Sequence, residues 1–201
     1  MIDILKQAAQ AGARLFQYRD KSSSMRDLYR QALQLRQAAA EAGAVFLIND
    51  RCDLALAVDA DGVHLGQADL PLKLARRVMG PDKLIGISTH RPAEVREATD
   101  GGADYLGFGP IYATNTKPDH EAVVGLEGLR GIRSLTRLPV FAIGGITPDR
   151  IVSVLEAGSD GVAIVSAVGA APDVSAAVRT CLTQVQAARR ASGSPDRPPA
   201  G

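Results

Sequence analysis

The strongest constraint on this chain is its rhythm. Seven short apolar runs, headed by Arg14, Val45, Gly62, Leu84, Tyr105, Val140 and Gly161, alternate with amphipathic stretches of helix length. Residues 45–48 (VFLI) and 140–143 (VFAI) contain no polar side chain, as expected of strands covered on both faces. Helices are predicted over 3–11, 25–41, 52–58, 71–79, 92–99, 126–134, 148–157 and 172–190. Several of these stop at a glycine, such as Gly12, Gly43 and Gly158. Strands alternating with helices through short connections imply a parallel sheet under covering helices: either a closed barrel or an open doubly wound sheet.

Two patterns favour the barrel. Polar residues follow every apolar run, on the side where barrel enzymes assemble their sites, whereas an open sheet gathers ligand groups at one switch point. The late loops carry Gly144-Gly145 and then Val165-Ser166, which matches a phosphate site after the last two barrel strands. The count falls one short, however. A TIM-type (β/α)8 barrel needs eight strands, and only Met1 and Ile2 precede the first helix. The expectation is therefore an α/β barrel lacking its first strand, with the strand lost or the true start upstream, and with two unpaired edges left behind. One domain is expected over 1–190, followed by a Pro/Gly/Ser-rich disordered tail over 191–201.

Composition narrows the function. The 201 residues are 46% hydrophobic and 22% charged with a net charge of +1, so bulk charge gives no reason to expect nucleic-acid or membrane binding. No apolar run approaches the roughly 20 residues of a membrane span. The N-terminus lacks the pattern of a signal peptide, and the cytoplasm is the expected compartment. Cys52 and Cys181 lie far apart and near no other thiol, so both are read as small buried hydrophobes.

The chemistry sits at the ends of the apolar runs. After Tyr105 the chain reads YLGFGPIYATNTK: a buried strand, a break at Gly109-Pro110, then Thr114, Asn115, Thr116 and Lys117, a donor set suited to a phosphate. An ordinary solvated loop would use the same residue types. Gln17, Arg19 and Lys21 alternate after the first run and place an amide and two cations on one face. Asn49-Asp50 and Asp69 end successive runs, so two carboxylates could converge on a hard cation such as Mg²⁺. Either aspartate alone could instead cap the helix that follows it. Ser88 and Thr89 add hydroxyls, and Gly145 and Ser166 leave backbone amides free to meet a second phosphate. His64 reads as a core histidine and His90 as a loop support. No Ser–His–Asp or Cys–His nucleophile set stands out. The residues describe two anion pockets sharing one mouth, with a metal at the first, and imply displacement of diphosphate.

Taken together, QYRDK (17–21), NDR (49–51), DGVHLGQAD (61–69), IGIST (85–89), GFGPIYATNTK (107–117), AIGGI (142–146) and AGSDGVAIVS (157–166) closely resemble the thiamine phosphate synthase family. The motifs run in order across nearly all of the folded chain. The resemblance implies a TIM-type barrel that joins hydroxymethylpyrimidine diphosphate to a thiazole phosphate, by dissociative loss of diphosphate and capture of a pyrimidine methyl cation. It implies that Gln17, Tyr18, Arg19, Asp20, Lys21, Asn49, Ser88 and Lys117 hold the pyrimidine diphosphate, with Lys117, Ser88, Arg19 and Lys21 acting in catalysis. Asp50 and Asp69 would bind Mg²⁺. Thr114, Asn115, Thr116, Gly145, Val165 and Ser166 would hold the thiazole phosphate. The partners implied are small phosphorylated substrates; a homo-oligomer is compatible with the sequence. The main rival is a thiazole tautomerase on the same barrel, which needs neither the metal nor the diphosphate grip; Arg19, Lys21, Asp50, Asp69 and Lys117 argue against it. A catalytically dead phosphate sensor and an unrelated phosphate-binding barrel enzyme are the other readings.

Overall fold

The computed structural model describes residues 1–114 and 122–191. Helix α1 spans Ile2–Gln10 and leads to strand β1 (Leu15–Tyr18), then α2 (Met25–Glu41), β2 (Val45–Asn49), α3 (Cys52–Ala57) and β3 (Gly62–Leu65). There follow α4 (Leu72–Met79), β4 (Leu84–Thr89), α5 (Pro92–Asp100), β5 (Tyr105–Phe108), α6 (Gly125–Arg133) and β6 (Val140–Ile143). A 3-10 turn (Pro148–Arg150), α7 (Ile151–Glu156), β7 (Gly161–Ala163), α8 (Ser166–Gly169) and α9 (Val174–Ala191) complete the described chain.

All seven strands are parallel and lie in sequence order, each paired with the next. This is the curled sheet of a barrel with β1 and β7 as its two edges, as the count of seven runs predicts. The helical layer comes closer to closure than the strands do. Helix α1 packs against both α2 and α9, and Ala8, Val174 and Val178 form a small core there with Phe16 and Val168.

The alternation of side chains fixes what faces where. Phe46, Ile48, Val63, Leu65, Ile85, Leu106, Phe108 and Val140 are buried in the main core between strands and helices. Burying a side chain of this size contributes about 1.5–3 kcal/mol. The residues between them, His64, Gly86, Ser88, Tyr105 and Gly107, face the barrel interior. Most predicted elements fall within two residues of their observed bounds. The predicted 148–157 helix divides into a 3-10 turn and α7, and a separate short α8 precedes the last helix, which begins at Val174. Edge strand β7 stops at Ala163, short of the predicted run to Val165, where it has a neighbour on one side only.

At the base, one device recurs. Asp61, Asp104 and Asp160 stand just ahead of β3, β5 and β7 and accept from the backbone N–H of Phe46, Ile85 and Val140 at 2.7, 2.7 and 2.9 Å. Each also pairs with an arginine from two elements earlier along the chain or more: Arg36 at 3.4 Å, Arg76 at 2.5 Å and Arg133 at 2.9 Å. Each carboxylate thus ties the bottom of a strand pair and leaves the opposite end to the chemistry.

Candidate active site

The interior is packed by alternating large and absent side chains. A Cβ on Gly86 would lie 2.0 Å from the Tyr105 ring, one on Gly107 3.1 Å from His64, and one on Gly161 2.8 Å from Phe141. The glycines therefore make room for three rings. Tyr105 packs edge-on against Phe141, with centroids 5.6 Å apart.

A polar line crosses this interior. The His64 ring bonds the Tyr105 hydroxyl through Nδ1 and the Ser88 hydroxyl through Nε2, both at 2.8 Å. Gln17, on β1, lies near the same Tyr105 phenol and favours its ionised form, against the larger effect of burial. Gln67 Nε2 donates to the Ser88 carbonyl at 2.6 Å. Gln17 and Ser88, assigned to the pyrimidine pocket from the sequence, are thus the two ends of one line running through His64 and Tyr105. Burial holds the Tyr105 phenol well above its usual pKa, so it stays neutral. A neutral phenol behind the imidazole gives no counter-charge for an imidazolium, so the Ser88–His64 pair orients groups and is not an acyl-transfer triad.

Above this line the loops after β1, β2 and β3 converge. The Lys21 ammonium lies 3.2 Å from Asp50 Oδ2. Asp69 accepts from the Gly66 N–H at 2.7 Å and lies close enough to Asp50 for the two carboxylates to repel. Burial, with the Asp50 carboxylate adding to it, pushes the Asp69 carboxyl above the usual range. Neither aspartate caps a helix by its side chain: the residues flanking α3 and α4 are Arg51 and Pro71, with no side-chain cap bond. Asp50 also takes a left-handed φ of +65°, uncommon for a residue with a side chain, which costs of order 1 kcal/mol. Two crowded carboxylates with no capping task offer hard oxygen donors to a dication. Among the described residues no third His, Cys, Asp or Glu joins them, so further ligands would come from phosphate or water.

Other assigned residues do different work. Tyr18 is buried on the helix side of β1 and donates to Gln31 Oε1 at 2.7 Å. Asp20 accepts from the backbone and hydroxyls of Ser22 and Ser23, which holds its carboxyl well below the usual range and shapes the turn. Arg19 is exposed beside that turn, and Asn49 is buried at the end of β2. His90 Nδ1 donates to the Gly109 carbonyl at 2.5 Å and so ties the end of β4 to the end of β5, the loop support anticipated for it.

The second half of the mouth is backbone. Gly144 and Gly145 adopt φ of +97° and +62° after β6. They abut the loop after β5 so closely that a Cβ would lie 2.5 Å from Pro110 or from the Ala113 carbonyl. Only glycine fits there. Ile111 N–H and Tyr112 N–H donate to the Ile143 and Gly144 carbonyls at 2.9 and 3.1 Å. Val165 is 58% exposed and Ser166 begins α8 at the same end of the sheet. Thr114 is half-buried on the loop. Asn115, Thr116 and Lys117 lie outside the described residues.

What the sequence did not single out is the His64–Tyr105 pair. GVHL and YLGF are apolar enough to hide which face points inward. The signal available was the alternation of Gly62 with His64, of Gly86 with Ser88, and of Tyr105 with Gly107: glycines and polar groups on one parity mark the interior.

Residues 1–168 match the family model described as thiamine monophosphate synthase. The chain is 52% identical over 176 residues to a thiamine-phosphate synthase of Chloroflexus aurantiacus, spanning 88% of this chain and 81% of that one. It is 45% identical over 188 residues to the thiamine-phosphate synthase of Moorella thermoacetica, spanning 94% and 90%. A solved thiamine phosphate pyrophosphorylase from Pyrococcus furiosus superposes with a TM-score of 0.86 at 41% identity, over 93% of this chain and 90% of the other.

Proposed function

Since the chain belongs to the thiamine monophosphate synthase family, we infer that it is a thiamine-phosphate synthase, a transferase of thiamine biosynthesis that condenses hydroxymethylpyrimidine diphosphate with hydroxyethylthiazole phosphate, or its carboxylated form, and releases diphosphate. The observation that carries the assignment of roles is the convergence of Lys21, Asp50 and Asp69 directly above the Gln17–Tyr105–His64–Ser88 line.

On this reading Gln17, beside Tyr105, and Ser88, held by His64, orient the pyrimidine ring. Lys21, with Arg19 beside it, meets the diphosphate as its charge grows. Asp50 and Asp69 would hold Mg²⁺, which supplies charge neutralisation on the departing diphosphate. Lys117 is assigned to the same leaving group. The Gly144-Gly145 turn, Thr114, Asn115, Thr116, Val165 and Ser166 hold the thiazole phosphate so that its ring nitrogen faces the pyrimidine methylene. Bond making then needs placement more than a covalent nucleophile, in keeping with a Ser88–His64 pair backed by a neutral phenol.

The test is product formation from the two substrates with and without Mg²⁺. Thiamine phosphate and diphosphate in equal amounts, dependent on the metal, are the expected result. Folded protein that isomerised a thiazole carboxylate phosphate but made no thiamine phosphate would transfer the assignment to the tautomerase.

A further inference from the structure

Arg150 lies in the 3-10 turn that follows the Gly144-Gly145 loop, and none of the roles above uses it. Its guanidinium makes two contacts with two different loops. Nη1 donates to the Gly145 carbonyl at 2.7 Å. The same group sits over the Tyr112 ring, with Cζ 4.4 Å from the centroid. Tyr112 belongs to the loop after β5, two residues before Thr114, and its N–H is already bonded to Gly144.

The physical consequence follows from the planarity of the peptide unit. The Gly145 carbonyl and the Ile146 N–H belong to one plane and point in opposite directions. Fixing the carbonyl therefore aims the N–H. Left-handed glycines at 144 and 145 can exchange one peptide orientation for another at little cost, so the turn does not by itself choose a direction for its amides. An arginine on the Gly145 carbonyl makes that choice. Stacking on Tyr112 makes the choice contingent on the loop after β5 lying in place.

We propose that Arg150 is a positioning residue for the thiazole-phosphate half of the site: a clamp that fixes the peptide after Gly145 and the loop at Tyr112 in one arrangement, and so sets affinity for the phosphate of the second substrate. The proposal rests on the phosphate role assigned to this turn above. It assigns Arg150 no contact with the reacting atoms.

The test compares wild type with Arg150→Ala, Arg150→Lys and Tyr112→Leu, all shown folded by circular dichroism. Thiazole phosphate affinity is read by calorimetry and KM for each substrate by product formation. Arg150→Ala should weaken thiazole phosphate binding about tenfold and raise its KM alike, while KM for the pyrimidine diphosphate stays within about twofold, as loss of one charged hydrogen bond and one stack implies. Arg150→Lys keeps a cation and a donor and should recover part of the loss. Arg150→Ala combined with Tyr112→Leu should be little worse than Arg150→Ala alone, because the two side chains form one clamp. Equal losses for both substrates, no loss, or no recovery with lysine would each overturn the clamp. Because binding is read apart from turnover, a wild type that binds thiazole phosphate but forms no product refutes the synthase assignment and leaves the clamp to be judged on affinity.

Discussion

Adding one methyl group at Gly86 should unfold this protein more easily, against the usual sign of such a change. Gly86 lies inside β4 and is not among the positive-φ glycines, so its backbone accepts alanine. By backbone entropy alone, alanine in a strand is favoured over glycine by about 0.5–1 kcal/mol. Here the new Cβ would meet Tyr105 Cζ at 2.0 Å, Cε1 at 2.3 Å and the hydroxyl at 2.4 Å. The ring cannot retreat freely: its hydroxyl is 2.8 Å from His64 Nδ1 and its edge contacts Phe141. Overpacking of this kind costs about 1–3 kcal/mol. Parting the phenol from His64 adds about 1–3 kcal/mol. The clash outweighs the entropy gain, for a net loss of about 3 kcal/mol, or about 6–12 °C in Tm for a domain of this size. Thermal unfolding by circular dichroism reads the first effect. Turnover at saturating substrates reads the second, because a displaced His64 no longer holds Ser88. A Tm at or above that of wild type, with full activity, would refute the tight interior and the line through it.

Two further outcomes test the mouth and the base. Asp69→Asn should abolish the gain in rate from Mg²⁺ and yet stabilise the protein without metal at neutral pH. The Asp69 carboxyl is held above its usual pKa, so the native state binds its proton more tightly; its ionised form costs stability once pH has risen through that raised value, and the cost vanishes in acid. A Tm gain for Asp69→Asn at pH 7 that disappears near pH 3 is the expected pattern; an equal change at both would mean repacking instead. Asp160→Ala leaves the Val140 N–H and Arg133 without their shared acceptor. A drop of about 1–2 kcal/mol is expected in urea unfolding, tempered by the exposure of the pair, with both KM values unmoved.

The fold was legible because its signals are local. Short apolar runs and polar strand ends mark every βα unit, glycine stops mark several of them, and those strands pair in the order written. The carboxylate pair was legible too, since Asp50 and Asp69 end neighbouring strands. Facing was harder to read. In QYRDK, strand parity sends Gln17 inward and Tyr18 out to Gln31, and nothing in the string states which parity is inner. Asp20 reads as a ligand in sequence, but Ser22 and Ser23 lie within reach of its carboxylate and take it for the turn. His64 was legible as a core histidine, but not its partners: β3 is buried on both faces and has no wet side to reveal which way the ring points.

The aspartates at the base divide the sheet into cassettes. Arg36–Asp61 locks β2 to β3, Arg76–Asp104 locks β4 to β5, and Arg133–Asp160 locks β6 to β7. Among the described residues no arginine–aspartate lock of this kind spans β3 and β4 or β5 and β6; the Lys83–Asp59 pair that bridges the first seam leaves Asp59 exposed. A break in the chain between β5 and α6 leaves each lock whole within one fragment. A break within α5 parts Arg76 from Asp104 and splits a cassette. Pieces cut at a seam carry their own fastenings, so they are the ones equipped to find each other and rebuild the barrel.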